Sequence, residues 1–177
     1  MSASQWNVDN LHSSATFEVQ HMHISTYRGR FVGLGGKVVL DDENPGASSI
    51  EAFVDTKSFA APQGKFYEIL MGEDFFQADR HDKLLFRSNE LTRADGKHWR
   101  AHGQLTMRGI EKPVTFELED LGEANQPFNR VKMRAFKATA RINRADWGIT
   151  WNAQLDTGAA YLGETVTISL HVELLAA

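Results

Sequence analysis

Apolar and polar residues alternate with a period of two over much of this sequence, and this alternation limits what the chain can fold into more than any other feature. The clearest run lies near the C-terminus, and its apolar positions are Val166, Ile168, Leu170, Val172 and Leu174. Successive side chains of a β-strand point to opposite faces, so the run predicts a strand with one buried face. Residues 15–22 and 114–119 alternate in the same way, and turn signals rich in Asp, Asn, Gly and Pro separate such runs.

About eight strand candidates follow from this pattern, together with one short helix. The helix is predicted within residues 63–71, and Gly72 can cap its end. Phe66, Ile69 and Leu70 have the i, i+3, i+4 spacing of one helix face. An all-β chain of this kind is typical of a sandwich or a barrel, and an eight-stranded barrel can hold one small ligand. The eleven Phe and four Trp residues favour an apolar interior, but composition alone does not distinguish a cavity from a filled core.

Two stretches depart from simple alternation. Three glycines between Phe31 and Leu40 predict a bulge or a sharp bend in that strand. In residues 131–143 the apolar residues occupy odd positions up to Ala135 and even positions from Phe136 onward. One extra residue would produce that switch, so a bulge is predicted near Ala135.

Length and composition exclude several classes of protein. The 177 residues, 42% hydrophobic and 24% charged, predict a single globular domain over residues 1–177. The net charge of −4 without a basic stripe argues against nucleic-acid binding, and the absence of Cys removes disulfides, Cys nucleophiles and Cys-ligated zinc. No apolar stretch is long enough to span a membrane. The N-terminus has no signal-peptide pattern, so we expect a cytoplasmic protein, or a periplasmic one if a leader was removed.

The polar residues that could carry chemistry do not form a convincing site. His21 and His23 share a strand face, but a zinc site needs three or four ligands and no Glu follows closely, so we predict no metal site. Asp9, His12 and Ser13 include the residue types of a nucleophilic triad. Adjacent strand residues point to opposite faces and the Gly-x-Ser-x-Gly turn is missing, so we predict no catalytic role for them.

Four blocks of the sequence, spread over nearly its whole length, are similar to those of one known family. They are Trp6, Asp9 and His12-Ser13 followed by Phe17, Val19, His21 and Gly29-Arg30-Phe31; residues 103–114 (GQLTMRGIEKPV); residues 144–149 (RADWGI); and residues 163–166 (GETV). In this order they resemble the YceI-like family of polyisoprenoid-binding proteins. The resemblance implies an eight-stranded antiparallel, lipocalin-like barrel with one short helix near one end. It implies long isoprenoids as ligands, including quinones and their precursors, or in some members lipid-like amides. It also implies no enzymatic activity, no cofactor beyond the bound lipid, and a possible homodimer.

One segment departs from the pattern of the family. The Asp-Phe-Phe sequence at 74–76 is kept, but Phe66, Tyr67 and Ile69 stand where the family usually has Arg, Asp and His. Asp82 stands in place of a usual proline. Because apolar residues replace polar ones at the helix, we expect a more apolar site there, which affects the ligand's head group more than its tail.

The candidate ligand site consists of residues predicted to face the interior or to flank its mouth. They are Phe17, Val19, His21, Phe31, Phe53, Phe66, Ile69, Leu70, Phe75, Phe76, Phe86, Leu105, Phe116, Trp147, Trp151, Leu162, Ile168 and Leu170. His21, Asp74 and Arg144 are the candidate polar groups at the mouth. We expect binding of a long apolar isoprenoid or quinone-like lipid for transport, storage or sequestration. The alternatives are an enzyme acting on a lipid or quinone, and an interaction module with a filled core.

Overall fold

The computed structural model describes residues 3–177, which form antiparallel strands and one α-helix. The strands are β1 (Ser4–Val8), β2 (Ser14–His21), β3 (Ser25–Phe31), β4 (Leu34–Leu40), β5 (Ser49–Asp55), β6 (Lys83–Arg93), β7 (His98–Met107), β8 (Ile110–Asn125), β9 (Lys132–Asn143) and β10 (Leu162–Ala176). The helix α1 is Lys65–Met71, and short 3-10 helices lie at Pro45–Ala47, Thr56–Ser58 and Arg144–Trp147. Met1 and Ser2 lie outside the described residues, and so does the part of the signal-peptide prediction that concerns them.

The sheet closes on itself to form a barrel. β1 and β2 both pair with β10 and occupy successive stretches of it. Trp6 of β1 lies opposite Ala176, and Ala15 of β2 lies opposite Leu170. β3 pairs with β2 and β4 with β1, so β3 and β4 also follow one another along a single line. When each of these two pairs counts as one interrupted strand, the ten strands form a closed ring of eight. All the pairings are antiparallel, which confirms the predicted eight-stranded barrel.

The wall of the barrel is incomplete where β3 ends. Beyond β2, the described backbone contacts of β3 are an isolated bridge between Phe31 and Phe59 and a hydrogen bond from Ala60 N to Arg30 O. The segment of residues 56–82, which contains α1, fills this side. The helix matches the predicted segment and ends at Gly72, whose N–H donates to the carbonyl of Ile69.

The expected bulge near Ala135 is wrong in its position. The extra residue is Leu121 of β8, because Asp120 lies opposite Phe136 and Gly122 opposite Ala135. β9 itself keeps one period, and its even positions face inward from Arg134 to Ile142. The apolar pattern was misleading because a charged residue, Arg134, takes an inward position. The predicted bend among the glycines falls where the chain leaves β3 and enters β4.

The two ends of the barrel differ in their contents. We call the mouth the end formed by α1, the β2–β3 turn and residues 148–161. We call the far end the opposite one, where β1 begins and the β8–β9 turn lies. At the far end Trp6 and Leu174 are buried in a separate small apolar cluster, and Arg134 donates hydrogen bonds to Asp42 and Asp120.

Candidate functional site

A cavity of about 370 Å³ occupies the mouth half of the barrel interior. This volume falls within the range of roughly 300–1,000 Å³ that is typical of small-molecule sites. The cavity is lined by inward side chains of the strands together with α1 and residues 75–76. Because Phe66 and Ile69 line the cavity and are also about half exposed, they mark where it opens to solvent.

The structure places every residue of the predicted ligand site around this cavity except Trp147. Contact of these residues with a ligand remains a prediction. Trp147 is 1% exposed and does not line the cavity. Its indole Nε1 instead donates a hydrogen bond of 3.0 Å to the carbonyl of Leu105. The 3-10 turn at Arg144–Trp147 directs this ring against β7, an orientation that strand alternation could not indicate.

Sequence reasoning missed part of the lining. The additional residues are Ala15, Thr16, Tyr27, Leu34, Ala52, Val54, Leu84, Met107, Ile142, Ile149, Tyr161 and Val166. Ala15 and Val166 could have been found, because they share alternation with Phe17 and Ile168. Tyr27 could not, since only the pairing of β3 with β2 places it opposite Val19.

Aromatic side chains surround the mouth. The ring of Tyr27 meets that of Phe66 edge to face, with centroids 5.6 Å apart. On the other side the ring centroid of Trp151 lies 5.8 Å from that of Phe75 and 5.9 Å from that of Tyr161. The mouth is therefore bordered by large rings that α1, β3 and the 148–161 loop contribute.

A few polar groups lie among these rings. The Nε2 atom of His21 and the hydroxyl of Tyr161 are 2.8 Å apart and form a hydrogen bond, so both are satisfied within the mouth. Arg144 lines the cavity and is 5% exposed. Asp74, which we expected at the mouth, is exposed and does not line the cavity.

Arg144 holds the 148–161 loop in place. Its Nε donates to the carbonyl of Gly163, and its Nη1 donates to the carbonyls of Ile149 and Trp151, each at 2.8 Å. Burial lowers the pKa of this guanidinium from its usual value, and Glu164 partly offsets the effect. The side chain thus joins both ends of the loop through backbone acceptors.

The candidate triad residues are not aligned for catalysis. The Nδ1 atom of His12 lies 2.7 Å from Asp9, but the hydroxyl of Ser13 accepts a hydrogen bond from the backbone N–H of Glu173. Ser13 is thereby bound to β10 and not to His12. All of these residues lie outside the cavity lining.

Within residues 3–177 one group has ligand atoms spaced closely enough for a metal, namely Asp9, His12 and Glu173, whose atoms lie within 4.8 Å of one another. The hydrogen bond to Asp9 raises the pKa of His12. His21 and His23 do not form such a group in this part of the chain. The absence of a bound metal remains a prediction.

Among residues 3–177 no helix has the length and apolar character needed to cross a bilayer, and α1 has seven residues.

Comparison with known proteins agrees with this architecture. The family model of the YceI-like domain matches residues 6–174. A UPF0312 protein of Staphylococcus aureus is 28% identical, and the match covers 96% of each chain. A UPF0312 protein of Pseudomonas paraeruginosa is 28% identical, and the match covers 97% of this chain and 86% of the relative.

Solved structures share the fold at lower identity. The crystal structure of Burkholderia cenocepacia BcnA has a TM-score of 0.80 and 20% identity, and the match covers 94% of this chain and 98% of BcnA. The structure of a polyisoprenoid binding domain from Saccharophagus degradans, implicated in plant cell wall breakdown, has a TM-score of 0.69 and 12% identity. That match covers 99% of this chain and 100% of the domain, and likenesses at such identities establish the fold.

Proposed function

The chain belongs to the YceI-like family, and on this premise we propose that it binds a long isoprenoid or quinone-like lipid inside the barrel and carries, stores or sequesters it. The observation that supports this most directly is the cavity of about 370 Å³ with a lining that is almost entirely apolar. The name of the Saccharophagus domain, which has the same fold, adds a polyisoprenoid as the kind of ligand.

The energetics of burial favour such a ligand. Transfer of an apolar chain from water contributes about 0.8 kcal/mol for each buried CH₂ group. The cost of association is roughly 4–15 kcal/mol, so a few isoprene units are enough to exceed it. A closed sheet also encloses the tail without leaving an unpaired strand edge around it.

The polar end of the lipid would lie at the mouth. His21 and Tyr161 offer a hydrogen-bonded pair there, and Arg144 offers a guanidinium whose described acceptors are all backbone carbonyls. A carbonyl or hydroxyl head group suits these partners. The apolar Phe66 and Ile69, which line the same cavity, favour a head group that is small or weakly polar.

A binding role is favoured over the two alternatives. Most polar side chains that line the cavity are already engaged: Thr16 donates to the carbonyl of Ser169, His21 bonds Tyr161, and Arg144 donates to backbone carbonyls. This arrangement provides no activated nucleophile for an enzyme acting on a lipid or quinone. An interaction module with a filled core is disfavoured by the cavity itself.

Denaturing extraction of the purified protein followed by mass spectrometry tests the proposal. We expect an unmodified prenyl or acyl lipid in near-stoichiometric amount. A chemically altered lipid would support the enzyme, and repeated absence of lipid from protein made in lipid-rich cells would support the filled core.

A pair of variants tests the position of the site. Ile69, 47% exposed, lines the cavity, whereas Phe128, 93% exposed, lies at the far end. Ile69→Asp places a carboxylate beside the tail, which is costly to desolvate, so bound lipid per chain should fall sharply. Phe128→Asp should leave it unchanged, with circular dichroism as the control for folding. Full occupancy in folded Ile69→Asp protein would show that α1 does not border the ligand.

A homodimer and a cytoplasmic location also remain proposals. Sedimentation velocity of the purified protein and fractionation of the source cells would test them.

A further inference from the structure

The barrel contains a second, smaller cavity of about 90 Å³ on the far side of the first. It reaches into the far end, where its lining includes Leu40, Trp99, Phe136 and Leu174. Its lining residues are all apolar, so the space favours hydrocarbon over water. The volume is well below that of an independent ligand site.

The two cavities share a common wall. Five residues line both of them: Leu34, Ala52, Phe86, Phe116 and Leu170. The two aromatic members face each other edge to face, with ring centroids 5.0 Å apart and planes at 79°. Side chains therefore separate the two spaces, while the backbone of the barrel runs continuously around both.

The position of Phe86 depends on a glycine in the neighbouring strand. A Cβ atom on Gly103 of β7 would lie 2.6 Å from the ring carbon Cζ of Phe86, closer than real contacts allow. The ring of Phe86 therefore lies against bare backbone. Phe116 reaches the same point from β8, on the other side of β7.

We propose that Phe86 and Phe116 form a partition that sets how long a lipid tail the protein accepts. Short tails end against the two rings, and longer tails enter the smaller cavity only when the rings move apart. Rotation about side-chain bonds can open this wall, whereas the hydrogen-bonded strands cannot separate so easily. The inference rests on the proposed function and adds a specificity-determining pair to it.

A length series of prenyl alcohols measures this directly. Farnesol, geranylgeraniol and octaprenol, delivered from the same detergent, are titrated into delipidated protein and followed by tryptophan fluorescence, since Trp151 lines the cavity. For the unaltered chain we expect affinity to rise with tail length and then to level off. In Phe86→Ala the rise should continue, and octaprenol should gain about tenfold or more, since two further buried methylenes are worth about that factor.

Two further variants make the test specific. Ala138 lines the smaller cavity but not the larger one, so Phe86→Ala combined with Ala138→Leu should restore the original limit. Phe59 is buried but lines neither cavity, so Phe59→Ala removes an equal ring without opening the wall. If Phe86→Ala does not fold, Phe116→Leu thins the same wall more gently.

The possible outcomes separate the inference from the proposed function. Binding of the alcohols with one unchanged length limit in Phe86→Ala, Phe116→Leu and Phe59→Ala would overturn the partition and leave the proposed function intact. Equal extension of the limit in Phe59→Ala would also overturn it. Failure of every alcohol to bind the unaltered chain would overturn both.

Discussion

Two buried arginines, one at each end of the barrel, are held in opposite ways. Arg134 and Arg144 are each 5% exposed. At the far end the guanidinium of Arg134 donates two hydrogen bonds of 2.9 Å to Asp42 and two more to Asp120. At the mouth, Arg144 donates to backbone carbonyls. Burial lowers the pKa of both, but the two carboxylates more than offset this for Arg134, whose pKa is raised overall.

The difference indicates what each end contributes. At the far end the buried charge of Arg134 is neutralised by two carboxylates, Asp42 after β4 and Asp120 of β8. The arginine thereby links these parts of the chain to β9. The mouth retains a cation that its described hydrogen bonds do not neutralise, beside an apolar cavity that faces solvent. This agrees with a far end that supports the fold and a mouth that receives a polar head group.

Removal of Arg134 should have the largest effect on stability. Arg134→Met leaves Asp120 and the half-exposed Asp42 without their shared partner, which should lower the free energy of unfolding by about 3 kcal/mol. The measurement is the urea midpoint. Arg28→Met, which breaks an exposed pair with Glu18, is the matched control and should cost less than about 1 kcal/mol. Equal losses in the two variants would remove the basis for calling the far end the stabilising one.

Removal of Arg144 should cost less stability but more ligand. Arg144→Met leaves two loop carbonyls and that of Gly163 without their donor, yet water can reach some of them at the mouth, so we expect a loss of about 2 kcal/mol. Bound lipid per chain should fall in the same variant and stay constant in Arg134→Met under native conditions. Retention of lipid in folded Arg144→Met protein would contradict a role for this side chain at the mouth.

Two buried tryptophans extend the comparison. Trp147, near the mouth, donates to the carbonyl of Leu105, whereas within residues 3–177 the Nε1 of Trp99 has no partner. Trp147→Phe should therefore destabilise the protein more than Trp99→Phe, by about 1 kcal/mol, because it leaves a buried acceptor unsatisfied. Parallel denaturation curves decide this, and a larger loss at Trp99 would contradict it.

Acid should weaken the far end before the mouth. Of the effects on stability predicted here, we expect this one to be the smallest. Hydrogen bonds from the backbone of Lys97 and from His98 lower the pKa of Asp95, in the β6–β7 turn, to about 2. Its pKa is lower in the folded than in the unfolded state, so its contribution is complete above pH 3.8 and is lost as the pH falls through about 2. The bond from Arg134 lowers the pKa of Asp42 in the same direction.

Hydrogen exchange measured from pH 4.5 down to about 1.5, a range that includes the folded-state pKa of Asp95, would compare the two ends. Protection of residues 93–98 should decline before that of residues 148–163. The acceptors that hold the latter segment to Arg144 are backbone carbonyls, which do not titrate. Asp95→Asn should reduce the pH dependence at the far end only. Earlier loss of protection in the mouth loop would contradict the assignment.

Much of the barrel could be predicted because alternation is a local property. The run from Val166 to Leu174 became part of β10, and the helical spacing around Ile69 became α1. The same local signal fails at β9, where it predicts an outward position for Arg134 although this side chain faces inward. Its carboxylate partners lie 92 and 14 residues away, so no short window of sequence contains the reason for its burial.

The sequence by itself determined which residues share a face within each regular strand, because side-chain direction in a strand alternates with position, and its aromatic content favoured an apolar interior. Only the tertiary structure decided whether those side chains meet or leave space between them. Phe86 and Phe116 come together across β7, whereas the side chains nearer the mouth surround a cavity. That outcome depends on strand register and on closure of the barrel, which set the distances between residues far apart in the chain.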